Sequence, residues 1–128
     1  MAGQSAGTHE PMEMMRAETV DLHRGIVSLM EELEAFDWYN QRIDAASDEA
    51  LKRILAHNRD EEVEHAAMLL EWVRRRNPVF DRMLRAYLFT SKELTEIEVT
   101  ETSRDGGPVA AAESVMFPAE LTVGSLIK

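Results

Sequence analysis

The chain has 128 residues, a formal net charge of −10 and no cysteine. That length holds one domain plus extensions, and the absence of cysteine excludes a disulfide framework, a thiolate zinc site and a catalytic thiol. The acidic balance argues against nucleic acid, whose phosphates need a basic face. No apolar run is long enough to span a bilayer, and the N-terminus lacks the charged-then-apolar layout of a signal peptide. A soluble intracellular protein with no membrane partner is therefore expected.

Residues 1–8 are small and polar and are expected to be disordered. Thr8 suits a helix N-cap, with Glu10 in the first turn and Pro11 close enough to the start to be tolerated. From there to about Asp44 the only Gly is Gly25. Met15, Leu22, Leu29, Phe36 and Ile43 recur every seven residues, with Met12, Ile26 and Leu33 in the adjoining row. This predicts one amphipathic helix of roughly 35 residues, about 50 Å long. Ser47 reads as the cap of a second helix, with Asp48 and Glu49 in its first turn. Its seam is Leu51, Leu55, Asn58, Glu62, His65, Leu69 and Trp72, and it runs to Arg74-Arg75-Arg76 before Asn77-Pro78 stops it. A short third helix is predicted from Val79 to about Phe89.

After Thr90 the composition turns to Thr, Ser, Glu, Gly and Ala, and residues 91–120 read as a flexible linker. Thirty such residues reach roughly 30 Å. The last stretch, residues 121–128, is apolar again at Leu121, Val123, Leu126 and Ile127, around Gly124. An apolar tip on a polar leash is the layout of a docking peptide.

Two long helices with wide apolar stripes cannot cover both stripes as a lone hairpin. The fold expected over residues 9–90 is all-α: an antiparallel two-helix hairpin plus a short C-terminal helix, completing a four-helix bundle by dimerisation. Two ionisable groups, Glu62 and His65, fall in the seam of the second helix, where burial is costly unless something pairs with them. Glu32 lies on the inner face of the first helix, three residues after Leu29 and four before Phe36, with Gly25 and Tyr39 one heptad to either side. Glu-x-x-His alone is a weak signal that also describes a solvated pair. The count is stronger. A carboxylate-bridged di-iron site needs a Glu from each of two helices and a Glu-x-x-His from each of two others. One chain supplies half, and two related by a two-fold axis supply all of it. Carboxylate oxygens with one imidazole per metal suit iron or manganese, and zinc remains open.

Met30-Glu31-Glu32-Leu33-Glu34, Asp37-Trp38-Tyr39, the run Ile54 to Met68 and Tyr87-Leu88-Phe89-Thr90 resemble the encapsulated ferritins over roughly residues 9–90. The terminal Leu-Thr-Val-Gly-Ser-Leu-Ile-Lys is similar to the peptides that load cargo into encapsulin nanocompartments. The resemblance implies a ferroxidase that oxidises Fe(II) to Fe(III) with oxygen or peroxide. It implies two iron ions per dimer, dimers assembled into an annular decamer, and mineral storage left to the encapsulin shell in a bacterial cytoplasm. It makes Glu32, Glu62 and His65 the iron ligands, with Tyr39 behind them and Trp38 near the route to the centre. It gives Glu31 and Glu34 as a weaker site where cations come in, and His57, Glu61 and Glu64 as an outer metal site. Other classes consistent with the residues are a non-catalytic acidic helical adapter, a metal-binding cargo protein, and a di-metal oxidase acting on an organic substrate.

Overall fold

The computed structural model describes residues 7–105, and among these every regular element is helical. A 3-10 turn, Met12–Met14, precedes four α-helices: α1, Ala17–Ala45; α2, Glu49–Arg76; α3, Pro78–Tyr87; and α4, Leu94–Asp105. The chain falls into two compact units divided between Val73 and Arg74, inside the last turn of α2. The expected hairpin domain over 9–90 thus draws on both. None of the helices is long and apolar enough to cross a membrane.

The first helix starts later than its heptads predict. Pro11 is extended at φ −59°, ψ 135°, the turn that follows closes after three residues, and Met15 and Arg16 are extended again. Thr8 therefore caps nothing in α1. The physical reason is burial: Met12 and Met14 are 49% and 75% exposed, so no packed face repays a longer helix. From Ala17 the apolar rows are free of proline and α1 runs 29 residues. It ends at Ala46, whose N–H still bonds to the Arg42 carbonyl at 2.9 Å.

The cap of α2 is Asp48 rather than Ser47. Asp48 Oδ2 accepts the Leu51 N–H at 2.8 Å, the geometry of an N-cap residue to its third helical position. The α1–α2 pair is antiparallel, and three contacts set its register. Gly25 meets Trp72, Glu32 meets His65, and Asn40 meets Arg59. Seven residues up α1 correspond to seven down α2 between the first two contacts, two turns on each helix.

The interior of this unit is thin. Val20 and Gly25 of α1 and Val73 of α2 are the buried residues of the two long helices. Leu33, Trp38, Leu51, Ile54, Val63 and Met68 are each about half exposed. The seam predicted through Leu51 and the row through Ile26 and Leu33 exist as helix faces, but one chain does not cover them.

In the second unit, Asn77 Oδ1 accepts the N–H groups of Val79 and Phe80 at 3.0 and 2.9 Å, and Pro78 sits at the first position of α3, where its missing N–H is harmless. Asp81 holds Arg74 and, at 3.0 Å, Arg85 Nε. The helix closes at Tyr87, two residues short of expectation, and Phe89 takes φ 58°. The next element overturns part of the predicted linker. Glu93 accepts the Thr95 N–H at 2.8 Å and its hydroxyl, and α4 follows, with Ile97 and Glu101 buried one turn apart. The apolar positions of α4 are too few for composition to reveal it. A side-chain cap and one buried isoleucine hold it against α3. The rest of the expected linker and the terminal peptide Leu121–Lys128 lie outside the described residues.

Candidate metal centre

The middle of the three α1–α2 contacts is the site. Glu32 Oε1 reaches across from α1 to 3.3 Å from His65 Nδ1, and Glu62 Oε2, one turn before His65 on α2, lies 3.9 Å from the same nitrogen. One ligand atom from each of the three residues lies within 4.8 Å of the other two, and among the described residues this is the one such group of three or more. The side chains of Glu32 and Glu62 are 24% and 21% exposed, whereas His65 is 45% exposed. The pocket of charge is thus sheltered by the helices on one side and open on the other.

Two carboxylates this close cannot both hold a bare charge at low cost. A hydrogen bond between Glu32 and Glu62, reinforced by burial and by the neighbouring Glu32 charge, raises the Glu62 carboxyl above its ordinary value, and His65 pulls only weakly the other way. A cation between the carboxylates would offset their repulsion. Two carboxylate oxygens and one imidazole nitrogen, with an open side for water or a further ligand, fit a first-row divalent metal such as iron. Helix spacing explains why they meet. Glu62 and His65 share a face at i, i+3, and the antiparallel register brings Glu32 opposite.

The residues expected at secondary positions are not gathered in the same way. His57 Nε2 and Glu61 Oε2 form a 3.3 Å pair on an exposed face of α2. Glu64 is exposed and joins no three-membered group with them among the described residues. Glu31 is exposed and Glu34 half-buried, without forming such a group either. Trp38 is 50% exposed, and Tyr39 carries the Arg42 guanidinium 5.4 Å from its ring centre. Two contacts beside the centre were not read from the sequence. One is the approach of Trp72 to Gly25. The other is the hydrogen bond from Arg59 Nη1 to Asn40 Oδ1, 3.1 Å across the helices. The signal for the first was available: α1 holds a single glycine and α2 a single tryptophan.

Comparison with known proteins accords with this geometry. Residues 7–91 match the family model described as EncFtn-like. The chain is 52% identical to the encapsulated ferritin-like protein of Rhodospirillum rubrum, over 98% of its own length and 91% of the relative's. It is 55% identical to a ferritin-like protein of Thermotoga maritima, over 74% and 82% of the two chains. It is 32% identical to the encapsulin nanocompartment cargo protein EncC of Myxococcus xanthus, over 83% and 85%. A crystal structure of a Nitrosomonas europaea protein superposes with a TM-score of 0.67 at 61% identity, covering 69% of this chain and 97% of that one. A family match across both long helices, joined to a relative that aligns along almost the whole sequence, means that this chain belongs to the EncFtn-like family of encapsulated ferritins.

Proposed function

We propose that this protein is a ferroxidase that oxidises Fe(II) to Fe(III) at a di-iron centre completed by two subunits, and that it works as cargo inside an encapsulin shell where the ferric product is stored. The observation that carries this is the Glu32–Glu62–His65 cluster, which is half of a bundle-type di-iron set. The uncovered apolar faces support a second copy: Leu33, Trp38, Ile54, Val63 and Met68 on the two long helices exceed what a stable lone hairpin leaves in water. The family supports iron, and the names of the Rhodospirillum and Myxococcus relatives support an encapsulin partner.

Bound iron supplies the redox step, in which each of two Fe(II) gives one electron to dioxygen or peroxide. The protein's part is positional. Glu32, Glu62 and His65 of each chain would hold the iron, the two carboxylates supplying anionic oxygens and His65 a neutral nitrogen. Carboxylates favour the harder Fe(III) product. Glu31 and Glu34, and His57, Glu61 and Glu64, are acidic or basic stations that would lead Fe(II) in. Tyr39 would stand behind the ligands and Trp38 near the route to the centre. Dimers assemble further into an annular decamer, and residues 121–128 dock the assembly to the shell.

The test is iron-dependent oxygen uptake with native mass measurement on the parent, Glu32→Ala, Glu62→Ala and His65→Ala. The parent should oxidise Fe(II) as a dimer or larger ring binding two irons per dimer, and each variant should lose rapid oxidation. Parent-like rates in all three would defeat the assignment, and uptake of iron without oxidation would leave a metal-binding cargo protein. Removing residues 121–128 should leave oxidation intact while abolishing loading into the shell.

A further inference from the structure

Resting on the metal reading above, we infer that Asn40–Arg59 and Gly25–Trp72 are positioning pairs. They lock the register of α1 against α2 and thereby set the spacing between Glu32 and the Glu62–His65 pair. Leucine-rich helix faces tolerate sliding, because one apolar side chain substitutes for another after a turn of about 5.4 Å. A metal site does not tolerate it. One turn of slip would remove Glu32 from His65 and put Ser28 or Phe36 there.

The two pairs are what resists that slip. Gly25 is the only residue of α1 without a side chain, and Trp72 is the largest side chain of α2. The Trp72 indole lies against the bare backbone of Gly25. A Cβ at Gly25 would stand 2.8 Å from Trp72 Cε3 and closer still to Cζ3, so the indole occupies the space that any other residue would fill. The contact lies two turns from the Glu32–His65 layer on both helices. On the far side, Arg59 Nη1 donates to Asn40 Oδ1 at 3.1 Å, while Arg59 Nε is held by Asp60 Oδ1 at 3.0 Å. The bond is exposed, so its contribution is directional rather than a matter of burial. A large-into-none fit and a directional hydrogen bond therefore bracket the site, and both are specific where the leucine packing between them is not. Gly25 and Trp72 each lie seven residues from Glu32 and His65 on their own helices, and Asn40 and Arg59 eight and six. They act through the helices, as outer partners of metal ligands do.

Cobalt(II) is the probe, because its visible absorption reports coordination geometry without redox chemistry. The full chain, Asn40→Ala, Arg59→Ala and Gly25→Ala are titrated with Co(II) and melted in parallel. Asn40→Ala should remain folded, bind Co(II) about 10-fold more weakly and show an altered absorption band. Asn40→Asp, which keeps an acceptor for Arg59, should recover the parent's band. Gly25→Ala should show the same change, and if it fails to fold the Asn40 and Arg59 variants decide alone. Variants that melt earlier yet bind with the parent's affinity and spectrum would overturn the inference and leave the pairs structural. A parent that binds no Co(II) would overturn the metal reading and this inference with it.

Discussion

His65 Nδ1 on α2 lies 3.3 Å from Glu32 Oε1 on α1, while Glu62, one turn before it, holds its carboxyl against the same two groups. A helix pair that wanted only stability would not place two carboxylates in contact. Replacing one of a like-charged pair by its neutral isostere removes repulsion and keeps the hydrogen bond. Glu62→Gln should therefore raise the metal-free protein's stability, by about 1 kcal/mol or less at this partly exposed site, while lowering Fe(II) or Co(II) affinity at least about 10-fold. Chemical denaturation and metal titration of one preparation check both. A variant that gains no stability would show that the contact is not repulsive.

The pH dependence follows from the same contact. The Glu62 carboxyl is raised from 4.5 in the folded chain, chiefly by its hydrogen bond to Glu32. Above 4.5 the unfolded chain has released this proton while the folded chain still holds it, so the folded state binds more protons in that window. Its contribution to stability is therefore fully present below 4.5 and is lost as pH climbs through the raised folded value. Metal reverses the sense, because binding displaces the proton and strengthens as pH rises. Melting curves of metal-free and Co(II)-loaded protein between pH 4.5 and neutrality should diverge, with the gap widening upward. Parallel curves would contradict the raised Glu62 carboxyl.

The grouping of Glu32, Glu62 and His65 was legible in advance, and the reason is periodicity. Glu62 and His65 sit at seam positions where leucine is expected, and Glu32 lies three residues after Leu29 and four before Phe36, so their inward direction follows from helix geometry alone. Element ends were less legible, because they turn on single hydrogen bonds. Ser47 and Asp48 are both good caps, and only the backbone decides which reaches the third N–H. The start of α1 and the existence of α4 depend on burial, which composition does not report: Met12 finds no cover, whereas Ile97 does. The register pairs were hidden for another reason. A glycine and a tryptophan are informative only when the other helix is in place.

The caps give a prediction that separates neighbours. Asp48→Ala should cost about 1 kcal/mol by removing the Oδ2 bond to the Leu51 N–H, and Ser47→Ala, one residue earlier, should cost a few tenths or less. Thermal unfolding of the two variants is the measurement. Equal losses would return the cap to Ser47.

The last prediction concerns α4. An unstructured linker exchanges its amide protons at the rate of a free peptide, whereas a docked helix protects those in its middle turns. Amides around Ile97 to Glu101 should therefore exchange slowly in the full chain. Ile97 is 7% exposed, and a single apolar anchor holds a 12-residue helix that is too short to persist alone. Ile97→Asp should bury a charge without compensation, release α4 and return those amides to free-peptide rates, while the Fe(II) oxidation proposed for the long helices should continue. If exchange is fast in the parent as well, α4 is not held against α3. If oxidation falls with the helix, α4 contributes to the assembly that completes the metal centre.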